Sequence, residues 1–265
     1  MAKGPITASV DVGGSNVKAM LLDANGKSLT QRTKRPTPRP ARPPAVVDAI
    51  VALARSHGDF DRVSVGFPGV IRDGHVLTAV NLDGNWIGFD LEGALEKKLK
   101  KDVRVLNDAA IQGFGAISGK GVELTITLGT GVGSSLFVDG RHTGSLELGH
   151  HAFRKGETYE QQLGQRALDE VGRKRWRKRL KLAIAQLQRV FWPDRLYLGG
   201  GNSRLVDWKL PKGVQVVANE LGVLGGIALW RGQEQRKARA YAPAPAKEKA
   251  TAPAKAKAIA PTPTK

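Results

Sequence analysis

Two short segments, "DVGGSN" at residues 11–16 and "LGTGVG" at residues 128–133, interrupt alternating apolar runs with glycines, after which the alternation resumes. Strict alternation is the mark of a strand with one buried face, and a glycine pair between two such runs forces a tight reversal. The chain therefore opens each of two halves with a glycine-turned hairpin. In the first half, "ITASVDV" and "VKAMLLD" are the paired strands, an Asn25–Gly26 turn follows, and "KSLTQRT" is the expected third strand of a meander. In the second, "VELTITLGTGVGSSLFVDGR" repeats strand, glycine turn and strand, ending at an Asp139–Gly140 turn.

The segments between the hairpins alternate helix and strand. "KRPTPRPARPP" is a basic connector too rich in proline for a helix interior, whereas "AVVDAIVALARSHG" has apolar residues at helical spacing. "DRVSVGFPGVI" returns to strand; "FDLEGALEKKLKK" places Leu91, Leu95 and Leu99 on one helical face behind an N-cap candidate, Asp90. "VRVLND" is a strand that delivers Asn107 and Asp108 at its end. Residues 157–192 are helix-rich, "DRLYLGGGN" is a strand running into glycines, and "ELGVLGGIALW" is an apolar final helix. Such a pattern predicts a duplicated α/β architecture with a ligand cleft between two lobes.

With 265 residues and 41% apolar content the chain can bury a large core. It contains no run of eighteen apolar residues, and "MAKGPITASV" lacks the apolar centre of a signal peptide, so the expected address is the cytoplasm, with no membrane partner. Cysteine is absent, so any metal must be held by oxygen or imidazole. The formal net charge of +18 favours polyanionic partners: nucleic acid, anionic lipid or inorganic polyphosphate. Part of the excess lies in residues 232–265, an Ala-, Pro- and Lys-rich tail expected to be disordered, and either solubilising or polyanion-binding.

Four groups of residues carry chemistry. The glycine turns, with Ser15, Asn16 and Thr130, are either plain hairpins or cradles whose amides face a phosphate. Asp108 is either a helix N-cap or a carboxylate that orients and deprotonates an alcohol. Glu147 and His150, in "LELGHH", are a surface turn with a metal-free histidine or part of a metal site, the latter disfavoured because adjacent histidines point in different directions and have no cysteine partners. Finally "RKRWRKRLK", residues 173–181, carries seven basic residues around Trp176 and Leu180, with no acidic residue inside it to relieve the repulsion.

The motifs "DVGGSNVK", "VGFPGVIRDG", "NLDGNWIG", "NDA", "TLGTGVGSSL", "ELGH", "YLGGGNS" and "NELGVLGGIAL" stand in an order and spacing that resembles the ROK family of sugar kinases, most closely its polyphosphate-dependent glucokinase branch. The resemblance covers residues 6 to about 231. It implies an actin-like, hexokinase-type fold of two ribonuclease-H-like lobes: residues 1–108, completed by a helix near 219–231, and residues 109–218. It further implies that Asp108 is the catalytic base, and that Asn81, Asn107, Asp108, Glu147, His150 and Glu160 bind glucose. Donor phosphates would be held by Asp11, Gly13, Gly14, Ser15, Asn16 and Lys18 on one side, and by Gly129, Thr130, Gly131, Gly200 and Gly201 on the other. Asp11 would approach Mg2+ through water.

The family's cysteine-rich zinc motif is replaced here by "HAFRKGETYEQQLG", so zinc is not expected, and only about six residues precede the first strand, with no DNA-reading domain among them. Nucleic acid is therefore a disfavoured partner, although a basic nucleic-acid-binding protein on a kinase scaffold is the competing reading. Arg173, Lys174, Arg175, Arg177, Lys178, Arg179 and Lys181 are the expected polyphosphate surface, since a long polyanion would relieve their repulsion and release counterions. ATP is the alternative or additional donor. Family members tend to be dimers, which makes a homodimer the expectation.

Overall fold

The computed structural model describes residues 4–79, 82–217 and 224–230. The expected tail and the first residues of the expected final helix, 219–223, lie outside those residues. The first sheet contains β1 (Thr7–Val12), β2 (Asn16–Leu22) and β3 (Thr33–Pro36), which is followed by helix α1 (Pro43–Arg55) and β4 (Arg62–Phe67). A small hairpin, β5 (Ile71–Arg72) and β6 (His75–Val76), leads to helix α2 (Leu91–Leu99) and then β7 (Asp102–Asn107). The sheet order is β3-β2-β1-β4-β7: two antiparallel pairings inside the meander, then two parallel ones.

Helix α3 (Asp108–Ala116) passes to the second sheet, built from β8 (Val122–Leu128), β9 (Val132–Val138) and β10 (Arg141–Leu146). A second small hairpin, β11 (Ala152–Arg154) and β12 (Glu157–Thr158), precedes helices α4 (Tyr159–Leu163) and α5 (Gln165–Phe191). Strands β13 (Arg195–Gly199) and β14 (Val214–Val216) complete the order β10-β9-β8-β13-β14, again a meander extended by two parallel neighbours. The two halves thus share one strand plan, as the repeated glycine hairpins predict.

Local chemistry sets the helix limits. Pro43 and Pro44 open α1, where a missing N–H costs nothing, and its buried face is Val46, Val47, Ile50, Val51, Leu53 and Ala54. Asp90 caps α2 by accepting from the Gly93 amide at 2.8 Å, and Leu91, Leu95 and Leu99 are its three buried residues, as expected. Truncating such a leucine costs about 2–5 kcal/mol. Helix α5 turns at Gly172, whose φ of 71° is non-helical, before its basic stretch.

The third strand departs from expectation. Residues 27–32 contribute only an isolated bridge between Leu22 and Ser28, and β3 starts at Thr33 and runs into the proline-rich connector. All four β3 residues are exposed on an edge, so burial gives this segment no alternating pattern to reveal its register. Residues 225–230 form a 3-10 helix rather than the tail of an α-helix, and they pack on α3 and the first sheet. Trp230 donates from Nε1 to Ser64 Oγ at 2.7 Å, and the Arg62 and Arg104 guanidiniums each lie over its ring at 4.8 Å from the ring centre.

Candidate functional site

Parallel pairing aligns strand ends. Because β1, β4 and β7 run in one direction, Asp11, Phe67 and Asn107 emerge at the same end of the sheet, and in the second sheet β8 and β13 likewise bring Thr127 and Gly199 together. Clefts outside the carboxyl ends of such strands are where ligands bind in α/β folds. One cavity of about 280 Å³ occupies this place, and residues of both sheets line it. Asp11, Gly13, Gly14 and Lys18 come from the first hairpin, Asn107 and Asp108 from the β7–α3 junction, and Gly129, Thr130 and Gly131 from the second hairpin. Glu147, His150, Glu160, Gly200 and Gly201 complete the predicted members.

At the β7–α3 junction the capping role falls to Asn107, not Asp108. Asn107 Oδ1 accepts from the Ala110 amide at 3.2 Å, and its Nδ2 donates to the Gly69 carbonyl at 3.1 Å. Asp108 is thereby spared the cap and, among the described residues, accepts only from the adjacent Ala109 amide, at 2.8 Å through Oδ1. Crowded by protein except where it meets the cavity, its carboxyl is pushed up to about 7, by burial first and the neighbouring Asp11 charge second. Glu147 adds to that rise, while the Ala109 amide and the Lys18 ammonium oppose it. A carboxylate with this value accepts a proton readily near neutrality.

The acidic neighbours are each partnered. Lys18 Nζ stands 2.8 Å from Asp11 Oδ2, the two being direct partners in the β1–β2 register. Glu147 Oε2 lies 3.2 Å from His150 Nδ1 in the 3-10 turn; burial raises the Glu147 carboxyl, and His150 pulls it back. Glu160, on α4, accepts from the Val132 amide at 3.1 Å through Oε2. A Cβ on Gly131 would collide with that oxygen, so glycine at 131 is what lets Glu160 reach the turn.

The glycine turns are both hairpins and open cradles. The Gly13 amide donates to Asn16 O at 2.9 Å and the Gly129 amide to Gly131 O at 3.0 Å, which closes each turn. The amides of Gly14, Thr130 and Gly131 make no hydrogen bond among the described residues and remain available to an anion. The first turn is braced by the proline-rich connector: Thr37 Oγ1 donates to Gly13 O at 2.6 Å and Arg39 to Gly14 O at 2.8 Å.

Not every predicted residue enters the cavity. Ser15 is exposed, and neither it nor Asn16 lines the wall, because Asn16 is already the first residue of β2. Asn81 lies outside the described residues. The basic run at 173–181 is on the surface of α5, and part of it is spent on packing. Arg173 and Arg177 pair with Asp207, which the local sequence of the run could not disclose. Arg177 and Lys181 also lie over the Trp208 ring, and Arg179 donates to the Gln162 carbonyl. Lys174, Arg175 and Lys178 are exposed and make no ion pair or hydrogen bond among the described residues.

Sequence reasoning missed several lining residues, among them Thr78, Gln112, Thr127 and Ser134. Gln112 had a signal, four positions after Asp108 on the same helix face, but the others are set only by how the strands converge.

Comparison with known proteins agrees with this geometry. The ROK family model matches residues 7–166. The polyphosphate glucokinase of Mycobacterium tuberculosis is 32% identical over 216 residues, covering 76% of this chain and 80% of that protein. The N-acetylmannosamine kinase of Escherichia coli is 33% identical over 144 residues, covering 51% of this chain and 48% of that one. Among solved structures, the inorganic polyphosphate/ATP-glucomannokinase of Arthrobacter sp. strain KM superposes with a TM-score of 0.78 at 30% identity, covering 86% of this chain and all of that one. The actin-like, hexokinase-type fold implied by the motifs is the fold observed, and the chain belongs to the ROK family.

Proposed function

We propose that this sugar kinase is a glucokinase that transfers the terminal phosphoryl group of inorganic polyphosphate, or of ATP, to the primary hydroxyl of glucose. The observation that carries the reading is the position of Asp108, uncapped and with a raised pKa, in one cavity with the glycine turns of both sheets. In the proposed reaction the primary hydroxyl oxygen forms the new P–O bond, the bond to the rest of the donor breaks, and the hydroxyl proton passes to Asp108. Phosphoryl transfer runs through a loose transition state, so orienting the hydroxyl is the carboxylate's main task. Asn107, Glu147, His150 and Glu160 offer the mixed donors and acceptors that a polyol requires, and we assign the unpaired amides of Gly14, Thr130 and Gly131 to the phosphates.

Magnesium fits this donor set. The ion commonly takes one or two carboxylates and completes its shell with water and substrate phosphate, and Asp11 spends only one oxygen on Lys18. Bound there, it would neutralise charge that develops on the transferring group. Polyphosphate use draws on the relatives named above and on Lys174, Arg175 and Lys178, whose charges have no acidic partner among the described residues. A cytoplasmic homodimer, with lobes 1–108 and 109–218, completes the proposal. Another hexose as acceptor is the second reading, favoured by the similarity to an N-acetylmannosamine kinase.

A matrix of donors against sugars tests both readings. Glucose 6-phosphate formed from polyphosphate and magnesium supports the first; turnover with ATP alone removes polyphosphate, and preference for another sugar moves the acceptor to the second reading.

A further inference from the structure

We infer that Gln112 is a donor-binding residue, whose carboxamide gives a hydrogen bond to a phosphoryl oxygen of the donor. The inference rests on the kinase reading above and adds a residue to it. Helical spacing puts Gln112 one turn beyond Asp108 on α3, and both line the cavity. Gln112 is only 8% exposed, and its Nε2 is buried without a hydrogen-bond partner. Among the described residues the other such nitrogens belong to Arg177, which already faces the Asp207 carboxylate. Gln112 Nε2 is therefore the orphan that no described residue explains.

Its surroundings say what would satisfy it. The carboxamide packs against Gly199, where a Cβ would lie 3.0 Å from Nε2, and Gly199 leads directly into Gly200 and Gly201 of the cavity wall. The terminal torsion of a glutamine is broad, so a half-turn exchanges its two ends and presents the amide nitrogen to the cavity. A buried donor left unpaired is costly, and such a cost persists where a ligand repays it. Phosphoryl oxygens carry charge and only accept, which matches an N–H donor that lacks an acceptor.

The test compares the wild type with Gln112→Met and Gln112→Glu, both close in length. Measured with tripolyphosphate and with ATP, Gln112→Met should raise donor KM about tenfold, the loss of one charge-assisted hydrogen bond, with glucose KM within about twofold. Its Tm without donor should equal or exceed that of the wild type, because an unpaired polar group has been removed. Gln112→Glu should raise donor KM further, since a carboxylate repels phosphate. Unchanged donor KM in both variants overturns the inference, as does a fall in Tm with donor and sugar KM rising together, the mark of a purely structural role. If the wild type transfers no phosphoryl group, the kinase reading fails on its own, and calorimetry of tripolyphosphate binding still decides: equal affinity of wild type and Gln112→Met overturns the assignment.

Discussion

Lys18 faces Asp11 across the β1–β2 ladder with its Nζ 2.8 Å from Oδ2, and the fields of both reach Asp108 with opposite sign. Burial does most to raise the Asp108 carboxyl to about 7; Asp11 adds to that rise and Lys18 trims it, so the ion pair adjusts a value that suits a base at neutral pH. Replacing Lys18 with Met leaves Asp11 uncompensated. We expect the acid limb of the kcat profile to move to higher pH and kcat to fall about tenfold, from lost electrostatic support of the donor. An acid limb that stays in place would show that Lys18 does not tune the base.

Asp108 also links stability to pH. Its carboxyl titrates at about 7 in the folded chain, against an ordinary value of 3.8. The folded state therefore holds this proton more tightly, and the stability it contributes is fully present below about 4 and is lost as pH rises through 7. Asp108→Asn carries no charge to desolvate. At pH 8 the variant should melt above the wild type, by about 2–4 °C for each kcal/mol recovered, and at pH 4 the two should converge. Turnover should drop about 10²- to 10⁴-fold while glucose still binds. Equal melting at pH 8, with activity retained, would place the base elsewhere.

Glu147 and His150 should act on the acceptor alone. Their contact at 3.2 Å is partly exposed, so its loss costs the fold little. His150→Ala and Glu147→Gln should each raise glucose KM about tenfold or more with donor KM unmoved. Steady-state kinetics with one substrate saturating separates the two effects.

Gly131→Ala probes the same side of the cavity through Glu160. The added methyl collides with Glu160 Oε2 and forces out the carboxylate that receives the Val132 amide. The expected result is a sugar KM raised as in Glu160→Ala, and a stability loss of about 1–3 kcal/mol from the orphaned amide. Melting curves and sugar kinetics on the two variants check it.

What was legible in the sequence follows from what is local. The glycine hairpins, the Asp90 cap and the leucine face of α2 are each decided within a few residues, and the structure carries them as read. Convergence of Asp11, Asp108 and Gly131 in one cavity follows from parallel strand ends, so it could be expected once two α/β halves were recognised. Three things were not legible, for related reasons. The exposed edge strand β3 has no buried face to set a period. The role of Asn107 as cap is a choice between adjacent residues that dihedral geometry makes. Asp207 reaches the basic run from 30 or so residues further along the chain, through tertiary packing that no window contains.

That pairing divides the basic run into two functions and yields the sharpest test of the donor. Arg173 and Arg177 anchor α5 to the 205–210 segment through Asp207 and Trp208, whereas Lys174, Arg175 and Lys178 face outward without acidic partners among the described residues. If the outward three bind a long polyanion, replacing them together with Glu should raise the KM for long-chain polyphosphate at least tenfold. Its salt dependence should weaken as well, because fewer counterions are released. The KM for ATP, which is too short to leave the cavity and follow the helix, should stay within about twofold, and Tm should hold or rise as like charges are separated. Arg177→Ala should do the reverse, lowering Tm by loosening the anchor while sparing polyphosphate affinity. Equal losses for long-chain polyphosphate and ATP in the triple variant would remove α5 from the polyanion path.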